Sequence, residues 1–218
     1  MRNLEIISEK ALLGYQEALD AQMVRVNNIL ENPEAPYVLN FLEHQPVLTT
    51  GRTFEAAHLL ASRESLEEKG VPVVEVSRGG SVTYHGPGQL TVYLHVHLKE
   101  MGLGLTTLMR DLEQWVIDSL AFLGLDSKRE EGKTGVWTQT GKVCAMGIAA
   151  KKFVTYHGVG LNVCVDRRAF EWIVPCGLTE PVASLDQLIS PAPSMEDLKK
   201  VMLENLPTWL AELDRNSL

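Results

Sequence analysis

The segment from Arg78 to Gln89 constrains this chain more strongly than any other part of its sequence. It reads Arg-Gly-Gly-Ser-Val-Thr-Tyr-His-Gly-Pro-Gly-Gln, with four glycines, one proline, one arginine and one histidine. Glycine adopts positive φ angles and lets a ligand approach the backbone, and proline fixes one corner of a turn. A hydrophobic core does not require this mixture. We therefore interpret the segment as one wall of a binding site, with Arg78 and His85 as its polar groups.

Composition indicates one soluble domain, expected to span residues 1–218. Hydrophobic residues make up 45% of the 218 residues and charged residues 22%, which is ordinary for a globular protein. A chain of this length can bury a sizeable core without disulfides or metal ions. The net charge of −8 disfavours a general nucleic-acid binder, although a local basic patch could still dock an acidic protein.

Export and membrane insertion are not expected. The first ten residues carry four charged side chains and no long apolar run, and no stretch approaches the length of a membrane span. Three widely spaced cysteines without a Cys-x-x-Cys motif favour free thiols in a reducing compartment. We expect a cytoplasmic protein without a membrane partner. The cysteines are Cys144, Cys164 and Cys176.

Hydrophobic periodicity predicts an α+β fold with a mixed, largely antiparallel sheet flanked by helices. Helices are expected over residues 8–31, 62–69, 106–123 and 194–213, the last interrupted at Pro207. Strands are expected over residues 37–43, 47–50, 73–77, 90–98, 135–138, 142–151 and 154–165. Strands cluster in the middle of the chain and regular βαβ alternation is absent, so a doubly wound parallel sheet is not predicted.

A nucleotide-binding loop is not supported by the motifs. Residues 135–142 superficially resemble a phosphate-binding loop, but the glycine spacing is wrong and Val143 stands where Ser or Thr would hold magnesium. The Arg78 segment is not G-x-G-x-x-G either.

A three-histidine metal site is a second alternative. His95 and His97 alternate on a predicted strand and could join His85. No Asp or Glu stands at ligand spacing beside them, and hydrogen-bonded or partly exposed histidines explain the pattern equally well. We therefore predict no metal.

Cys176 is the candidate nucleophile. It lies between Pro175 and Gly177, so a turn is expected to hold the thiol. A thiol of ordinary pKa needs a cationic or dipolar neighbour to react as thiolate at neutral pH. The alternative is a small buried thiol, the usual fate of a lone cysteine. Cys144 and Cys164 fall within predicted strands and are expected in the core.

Lys142 is the candidate acid/base group. It follows Gly141 at the start of an apolar strand, where a lysine is either a solvated strand end or a group that points into a site. Cys144 lies two residues further on and would face the same way on a strand, so it is the competing nucleophile to exclude.

Four ordered motifs carry a family resemblance. They are Arg-Gly-Gly-x-x-Thr-x-His-Gly-Pro-Gly-Gln at 78–89, Gly-Lys-Val at 141–143, His-Gly-Val-Gly-Leu-Asn at 157–162 and Pro-Cys-Gly-Leu at 175–178. Together they resemble the octanoyltransferases of lipoic acid synthesis, the lipoyl(octanoyl) transferases, over nearly the whole chain. The resemblance implies the catalytic-domain fold shared by biotin and lipoate protein ligases.

The resemblance also implies an activity and a set of site residues. An octanoyl group would move from octanoyl-acyl carrier protein to a lysine of a lipoyl domain through a thioester on Cys176. Lys142 would tune that thiol and shuttle protons, and neither ATP nor a metal cofactor would be needed. The implied substrate-binding residues are Arg78, Gly79, Gly80, Ser81, Val82, Thr83, Tyr84, His85, Ala145, Met146, Gly147, Gly158, Val159 and Gly160.

The implied protein partners are the acyl carrier protein and two kinds of acceptor. These acceptors are the lipoyl domains of 2-oxoacid dehydrogenase E2 subunits and the glycine cleavage H protein. Which basic cluster docks the acidic carrier stays open at this point. The candidates are 128–129, Lys133, 151–152 and 167–168.

The chain departs from the family pattern at two positions. Val182-Ala-Ser184 stands where the family often has Val-Thr-Ser, so a threonine hydroxyl is lost. Cys144 replaces a smaller residue.

Two other functions share parts of the pattern. An ATP-dependent lipoate or biotin protein ligase has the same fold but needs no cysteine. A non-catalytic acyl-carrier-binding module would need neither Cys176 nor Lys142.

Overall fold

Two β-sheets form the framework in a computed structural model, which describes residues 2–174 and 181–215. In this part of the chain, the larger sheet has the strand order β1-β2-β6-β9-β8-β7 and the smaller sheet the order β4-β3-β5. β1 runs parallel to β2, β3 runs parallel to β4, and the remaining pairs are antiparallel. The expected mixed, largely antiparallel α+β architecture is confirmed.

The elements have the following bounds. The strands are β1 Leu4–Leu13, β2 Tyr37–His44, β3 Val47–Thr50, β4 Val73–Glu75, β5 Val82–His85, β6 Gln89–His95, β7 Val136–Thr138, β8 Gly141–Lys151 and β9 Val154–Asn162. The helices are α1 Tyr15–Glu31, α2 Arg63–Glu68, α3 Leu105–Phe122, α4 Met195–Glu204 and α5 Thr208–Arg215. The predicted interruption at Pro207 separates α4 from α5.

The first helix is shorter than its apolar periodicity predicts. The sequence favours a helix from residue 8, but residues up to Leu13 form β1, and α1 begins at Tyr15. β1 gains a parallel ladder with β2, and Gly14 takes an extended conformation with φ −60° and ψ 141° between strand and helix. Tertiary strand pairing therefore overrides the local helical pattern, because an extended strand satisfies its backbone groups in the sheet.

The main core lies on one face of the larger sheet and is covered by α3. Phe41 of β2 meets Trp115 of α3 edge-on, with ring centres 6.4 Å apart. Trp115 also donates its indole N–H to the Met202 carbonyl at 2.8 Å, which ties α3 to α4. α1 packs against β2, β6 and β9. These contacts hold rigid the strands that carry the candidate site residues.

The Arg78–Gln89 segment is only partly a loop. Its middle forms β5, which pairs with β3 in the smaller sheet and is buried along its length. Gly80 and Gly88, both at φ +83°, lie in the turns on either side of β5. The segment therefore combines a strand with two flanking turns, and the strand decides which of its side chains face the interior of the site.

Candidate active site

The three segments expected to bind substrate meet around one cavity. β5, β8 and β9 bring them together, with further wall from α1 and β6. The members of the expected set that line this cavity are Arg78, Thr83, His85, Ala145, Met146, Gly147, Gly158, Val159 and Gly160. Sequence positions about 80 residues apart thus line one cavity.

Some residues of the first segment face elsewhere. Val82 and Tyr84 alternate with Thr83 and His85 on β5, so they point away from the cavity into a second apolar cluster. Tyr84 meets Phe170 there, with ring centres 5.6 Å apart. For Val82 and Tyr84, the expectation of a substrate-binding role does not agree with the cavity geometry.

Ser81 also lies outside the walls of this cavity. Its hydroxyl lies 2.8 Å from His58 Nδ1, so it contributes a contact within the protein. Gly79 and Gly80 line a neighbouring cleft instead of this cavity.

The second space is a cleft that contains Lys142. Met146 and Gly147 border both the cavity and this cleft. β7 pairs with β8 only as far as Cys144, so the following residues of β8 lie at the sheet edge, where Gly79 N–H reaches the Ile148 carbonyl at 3.3 Å. The two spaces therefore meet where β8 extends beyond its pairing with β7.

Arg78 forms a fixed part of the cavity wall. Its side chain is buried and donates to the Thr49 carbonyl at 2.6 Å, to the Thr49 hydroxyl and to the Gly79 carbonyl at 2.9 Å. A Cβ on Gly147 would lie 2.9 Å from Arg78 Cδ and 3.0 Å from the Gly79 carbonyl oxygen. Gly147 is therefore needed because the Arg78 turn packs directly against β8.

Gly158 has a similar packing role. A Cβ there would collide with the Val92 carbonyl oxygen of the neighbouring strand β6. The family resemblance implies that Gly158 and Gly160 bind substrate. The structure shows that the space next to Gly158 is filled by the protein itself, so this glycine permits close strand packing behind the cavity.

Three histidines and two tyrosines form an aromatic wall at the cavity. His85 lies 6.0 Å from Tyr15 in a stacked arrangement and 5.6 Å from His44. His44 Nε2 lies 2.6 Å from the Tyr93 hydroxyl, and its Nδ1 lies 3.2 Å from the Leu13 carbonyl. The carbonyl can only accept, so Nδ1 carries the proton and Nε2 accepts from Tyr93.

The wall is uncharged at neutral pH. Burial lowers the pKa of His44 to about 4 and that of His157 to about 3, and it holds the pKa of His85 well below its usual range. Burial also raises the pKa of Tyr15 to about 12. A neutral, largely aromatic surface suits an apolar ligand.

A hydrogen-bonded chain links His85 to the backbone of Lys142. His85 Nδ1 lies 2.7 Å from Gln89 Oε1, and Gln89 Nε2 donates to Asn162 Oδ1 at 3.0 Å. Asn162 Nδ2 donates to the Ala183 carbonyl at 3.0 Å, and Ala183 N–H donates to the Lys142 carbonyl at 2.9 Å. Because Gln89 Oε1 is an acceptor, the neutral His85 ring carries its proton on Nδ1. Its other nitrogen, Nε2, therefore has a lone pair that can accept a hydrogen bond.

The side chain of Lys142 is buried against Trp137 and Gly135. Lys142 Nζ lies 4.8 Å from the centre of the Trp137 ring, within cation–π range. Gly135 has φ +124°, and a Cβ there would lie 2.6 Å from Lys142 Cε. The same Cβ would collide with the Cys144 carbonyl oxygen, so position 135 has to be glycine both for the β7–β8 pairing and for Lys142 to keep this conformation.

Glu113 of α3 holds Gly135 in place. Its carboxylate accepts from Gly135 N–H at 2.9 Å and is buried, and it also pairs with Arg110 at 2.6 Å and Arg129 at 3.0 Å. Two guanidinium groups thus balance one buried carboxylate. The arrangement fixes the loop before β7, and with it one side of the Lys142 side chain.

The predicted nucleophile, Cys176, lies outside the described residues. The described chain resumes at Pro181, whose carbonyl accepts from Lys142 N–H at 2.9 Å, and Val182 is bridged to Lys142. A Cβ on Gly141 would collide with the Pro181 carbonyl, so this glycine allows the close approach. At position 183 the hydrogen bonds to Asn162 and Lys142 are made by the backbone carbonyl and N–H, so an alanine side chain is sufficient there.

Of the other two cysteines, Cys144 is fully buried, and burial raises the pKa of its thiol to about 12. It therefore remains a protonated thiol at neutral pH. Cys164 is exposed rather than part of the core, contrary to the expectation from its predicted strand, because β9 ends at Asn162.

The described residues contain no group of three His, Cys, Asp or Glu side chains arranged to hold a metal ion. His95 is buried on β6, whereas His97 lies beyond the strand end beside Phe153, with ring centres 6.3 Å apart. Within the same residues, no helix is both long enough and apolar enough to cross a membrane.

Several residues of the site were not identified from sequence. Tyr15 was counted within the long predicted helix, and Gln89 and Asn162 lay inside motifs without being assigned a role. Glu113 could have been noticed in the sequence, because a glutamate on the apolar face of a predicted helix is unusual. Trp137 gave no signal, because a tryptophan in a strand is ordinarily a core residue.

The fold and the site define a class of protein that comparison with known families identifies. The model of the lipoyl protein ligase A/B catalytic domain matches residues 14–207. Among solved structures, lipoate-protein ligase A bound with ATP superposes with a TM-score of 0.75 at 16% identity, covering 98% of this chain and 92% of that one. At this identity the likeness concerns the fold alone.

Two bacterial relatives are more similar in sequence. The octanoyltransferase of Gloeobacter violaceus is 41% identical over 197 residues, covering 90% of this chain and 86% of the relative. The octanoyltransferase of Syntrophotalea carbinolica is 38% identical over 209 residues, covering 94% and 95%. The chain belongs to the octanoyltransferase family of acyltransferases, within the lipoyl protein ligase A/B catalytic domain family. The resemblance seen in the four motifs is confirmed.

Proposed function

We propose that the chain transfers an octanoyl group from octanoyl-acyl carrier protein to a lysine of a lipoyl domain, through a thioester on Cys176 with Lys142 as acid and base. The acceptors are the lipoyl domains of 2-oxoacid dehydrogenase E2 subunits and the glycine cleavage H protein, in the cytoplasm. The observation that carries the proposal is the position of Lys142 in the cleft that shares Met146 and Gly147 with the cavity lined by the three expected segments.

In the first half-reaction, the Lys142 ammonium stabilises the Cys176 thiolate, and the thiolate attacks the octanoyl carbonyl carbon. The new carbon–sulfur bond forms as the bond to the pantetheine sulfur breaks. The departing pantetheine thiolate then takes the proton from the Lys142 ammonium. Exchange of one thioester for another is nearly isoenergetic, so the step needs neither ATP nor a metal.

In the second half-reaction, neutral Lys142 removes a proton from the ammonium of the acceptor lysine. The free amine attacks the octanoyl thioester, and the Cys176 thiolate departs and is again stabilised by the Lys142 ammonium. The nitrogen of the adduct loses its second proton to solvent and becomes an amide. An amide is more stable than a thioester, so the step runs downhill. The acceptor must be deprotonated because an ammonium has no lone pair.

The cavity is proposed to hold the octanoyl chain. Its wall combines Met146 and Val159 with the neutral ring of Tyr15 and the uncharged histidines. Arg78 also lines the cavity, and its guanidinium is hydrogen-bonded to the oxygens of Thr49 and Gly79. An apolar chain in this space loses contact with water. The carbonyl end of the chain would then lie toward Met146 and Gly147, which also border the cleft that contains Lys142.

The choice of Cys176 over Cys144 rests on ionisation. The Cys144 thiol is buried and has a pKa raised to about 12, so thiolate at this position is scarce at neutral pH. Lys142 and Cys144 do share β8, as the sequence suggested, but burial counts against nucleophilic attack by Cys144.

Intact-mass measurement tests the proposal and separates it from the alternatives. We expect incubation with octanoyl-acyl carrier protein in the absence of ATP to add one octanoyl group to the protein. Cys176→Ala should abolish this adduct, and Cys144→Ala should leave it intact. Acylation that requires octanoate and ATP would instead identify a ligase. An adduct that survives in Cys176→Ala but is lost in Cys144→Ala would overturn the assignment of the nucleophile.

A further inference from the structure

The backbone of Lys142 has a different neighbour from the rest of β8. β8 pairs with β9 only as far as Cys144. At Lys142 the partner is instead the segment 181–183, which runs parallel to it. Lys142 N–H donates to the Pro181 carbonyl at 2.9 Å, and Ala183 N–H donates to the Lys142 carbonyl at 2.9 Å. The segment 181–183 therefore takes over from β9 as the partner of Lys142.

Asn162 joins the two partners. It is the last residue of β9, it is buried, and its Nδ2 donates to the Ala183 carbonyl at 3.0 Å. A second link follows in the chain, because Asp186 N–H donates to the Val163 carbonyl at 2.8 Å. The first link acts on the residue that bonds the Lys142 carbonyl, whereas the second lies further along the chain. Asn162 thus ties the end of β9 directly to the partner of Lys142.

An amide suits this position because the side chain must donate and accept at once. The Ala183 carbonyl can only accept, so Asn162 Nδ2 faces it and Oδ1 faces Gln89. Gln89 Nε2 donates to that oxygen at 3.0 Å and to the Tyr84 carbonyl at 3.0 Å, and Gln89 is buried as well. An apolar side chain at position 162 would leave a buried donor and a buried acceptor without this partner. A carboxylate would accept from Gln89 but could not donate to Ala183.

The segment 181–183 is also the point where the chain returns from the Pro-Cys-Gly motif. Cys176 lies five positions before Pro181 in the sequence, and five residues span at most about 18 Å. The anchor at 181–183 therefore limits how far Cys176 can lie from Lys142. The anchor is in close contact with β8, since a Cβ on Gly141 would collide with the Pro181 carbonyl.

We propose that Asn162 is a positioning residue for the pair formed by Lys142 and Cys176. Its bond to Ala183 sets the register between β8 and the segment 181–183, and that register sets the separation of the two reacting groups. The attraction between an ammonium and a thiolate falls with distance and with the access of water. A small displacement of the segment therefore weakens the stabilisation of the thiolate. The inference rests on the proposed function, from which it takes the two reacting groups, and it adds a residue that acts through the main chain.

Thr155 provides a matched control on the same strand. It is buried, and its hydroxyl donates to the Leu94 carbonyl at 2.7 Å and accepts from Val96 N–H at 3.1 Å. Thr155 thus ties β9 to the main chain at the end of β6, as Asn162 ties it to the segment 181–183. The two residues lie near opposite ends of β9. Loss of the Thr155 hydroxyl therefore weakens the sheet far from the segment 181–183.

The rate at which iodoacetamide alkylates Cys176 tests the inference, because the thiolate is the reactive form. The rate is measured against pH, and mass spectrometry of the modified peptides distinguishes Cys176 from the other two cysteines. In the unmodified protein we expect the apparent pKa of Cys176 to lie below the ordinary value of about 8.5. Asn162→Ala should raise this pKa by about one unit, which corresponds to about tenfold slower alkylation at pH values below both pKa values. Thr155→Val should leave it unchanged.

Asn162→Ser is a milder change and carries the test if Asn162→Ala does not fold. The serine hydroxyl is shorter than the amide, so we expect a smaller shift in the same direction. Urea unfolding of all three variants measures the loss of stability separately. Octanoyl loading at neutral pH should slow in parallel with the shift in the pKa of Cys176.

Three results would overturn the inference. The first is an unshifted alkylation profile in the Asn162 variants, whatever their stability, since Asn162 would then support the fold alone. The second is an equal shift in Thr155→Val, which would trace the effect to a general loss of stability. The third is an ordinary pKa of Cys176 in the unmodified protein, because there would be no pair to position. If the unmodified protein fails to load from octanoyl-acyl carrier protein while alkylation behaves as expected, the proposed function is overturned and the positioning role is supported.

Discussion

Lys142 and Trp137 are paired across β7 and β8, and the Lys142 ammonium lies 4.8 Å from the centre of the indole ring. The ring face is negative and attracts the cation, so it favours one conformation of the lysine side chain. Gly135 also borders this side chain, since a Cβ built on Gly135 would lie 3.3 Å from Lys142 Nζ. The proposed acid/base group is thus held by packing as well as by its own strand.

Trp137→Leu is expected to slow acyl loading by about two- to thirtyfold, because a cation–π contact contributes about 0.5–2 kcal/mol. The measurement is the single-turnover rate of octanoyl loading under saturating donor. Trp137→Phe keeps an aromatic face and should recover part of the rate. Equal rates for the Leu and Phe variants would show that the ring face does not matter, and urea unfolding checks that both are folded.

Gly135→Ala is expected to reduce acyl loading at least a hundredfold, because the new Cβ would collide with the Cys144 carbonyl oxygen and displace Lys142 by steric contact. Gly124→Ala is the control for backbone strain. Gly124 also has positive φ, at +76°, but a Cβ there has no neighbour within 4 Å. Both variants should lose about 1 kcal/mol of stability from backbone strain. Gly135→Ala should lose more because of the collision with the backbone of β8, and only Gly135→Ala should lose activity. A rate loss shared by both variants would contradict the role assigned to Gly135.

Glu113→Leu is expected to destabilise the fold by about 2 kcal/mol or more, since it leaves Gly135 N–H without its acceptor and removes the charge that pairs with Arg110 and Arg129. Glu113→Gln keeps an acceptor oxygen for Gly135 and should retain more of the loading rate than Glu113→Leu. The free energy of unfolding and the loading rate are measured on both variants. Identical loading rates would mean that Glu113 acts on stability alone.

Stability is expected to fall steeply as the pH drops from 7.5 to 5.0. Burial lowers the pKa of His44 to about 4 and those of His95 and His157 to about 3. The same histidines titrate near 6.5 in the unfolded chain, which therefore binds more protons below that pH. Each buried ring should thus contribute about 2 kcal/mol less to the free energy of unfolding at pH 5.0 than at pH 7.5.

His95→Leu tests this pH dependence. Removal of one buried, neutral imidazole should shrink the difference in unfolding free energy between pH 5.0 and 7.5 by about 2 kcal/mol. His97→Gln is the control, because His97 is only partly buried and lies two residues away. Urea unfolding at both pH values gives the comparison, and an unchanged difference in His95→Leu would argue that His95 is not neutral in the folded protein.

The sequence alone carried most of the information about family and chemistry. The glycine-rich segment at 78–89, Lys142 and the motif around Cys176 consist of residue types whose local conformation or reactivity restricts their use. Their order along the chain was sufficient to indicate octanoyl transfer. The strands and helices that connect them were also largely predictable, because each follows the local spacing of apolar side chains.

Tertiary structure decided how those motifs are combined. β1 forms only because β2 is available to pair with it, which local periodicity does not encode. The link from His85 through Gln89 and Asn162 to the backbone beside Lys142 joins four segments that are distant in sequence. The separation of the largely aromatic cavity from the cleft that contains Lys142 likewise depends on which side of β8 each neighbour packs. Such relations arise from contacts between elements, so only the folded chain defines them.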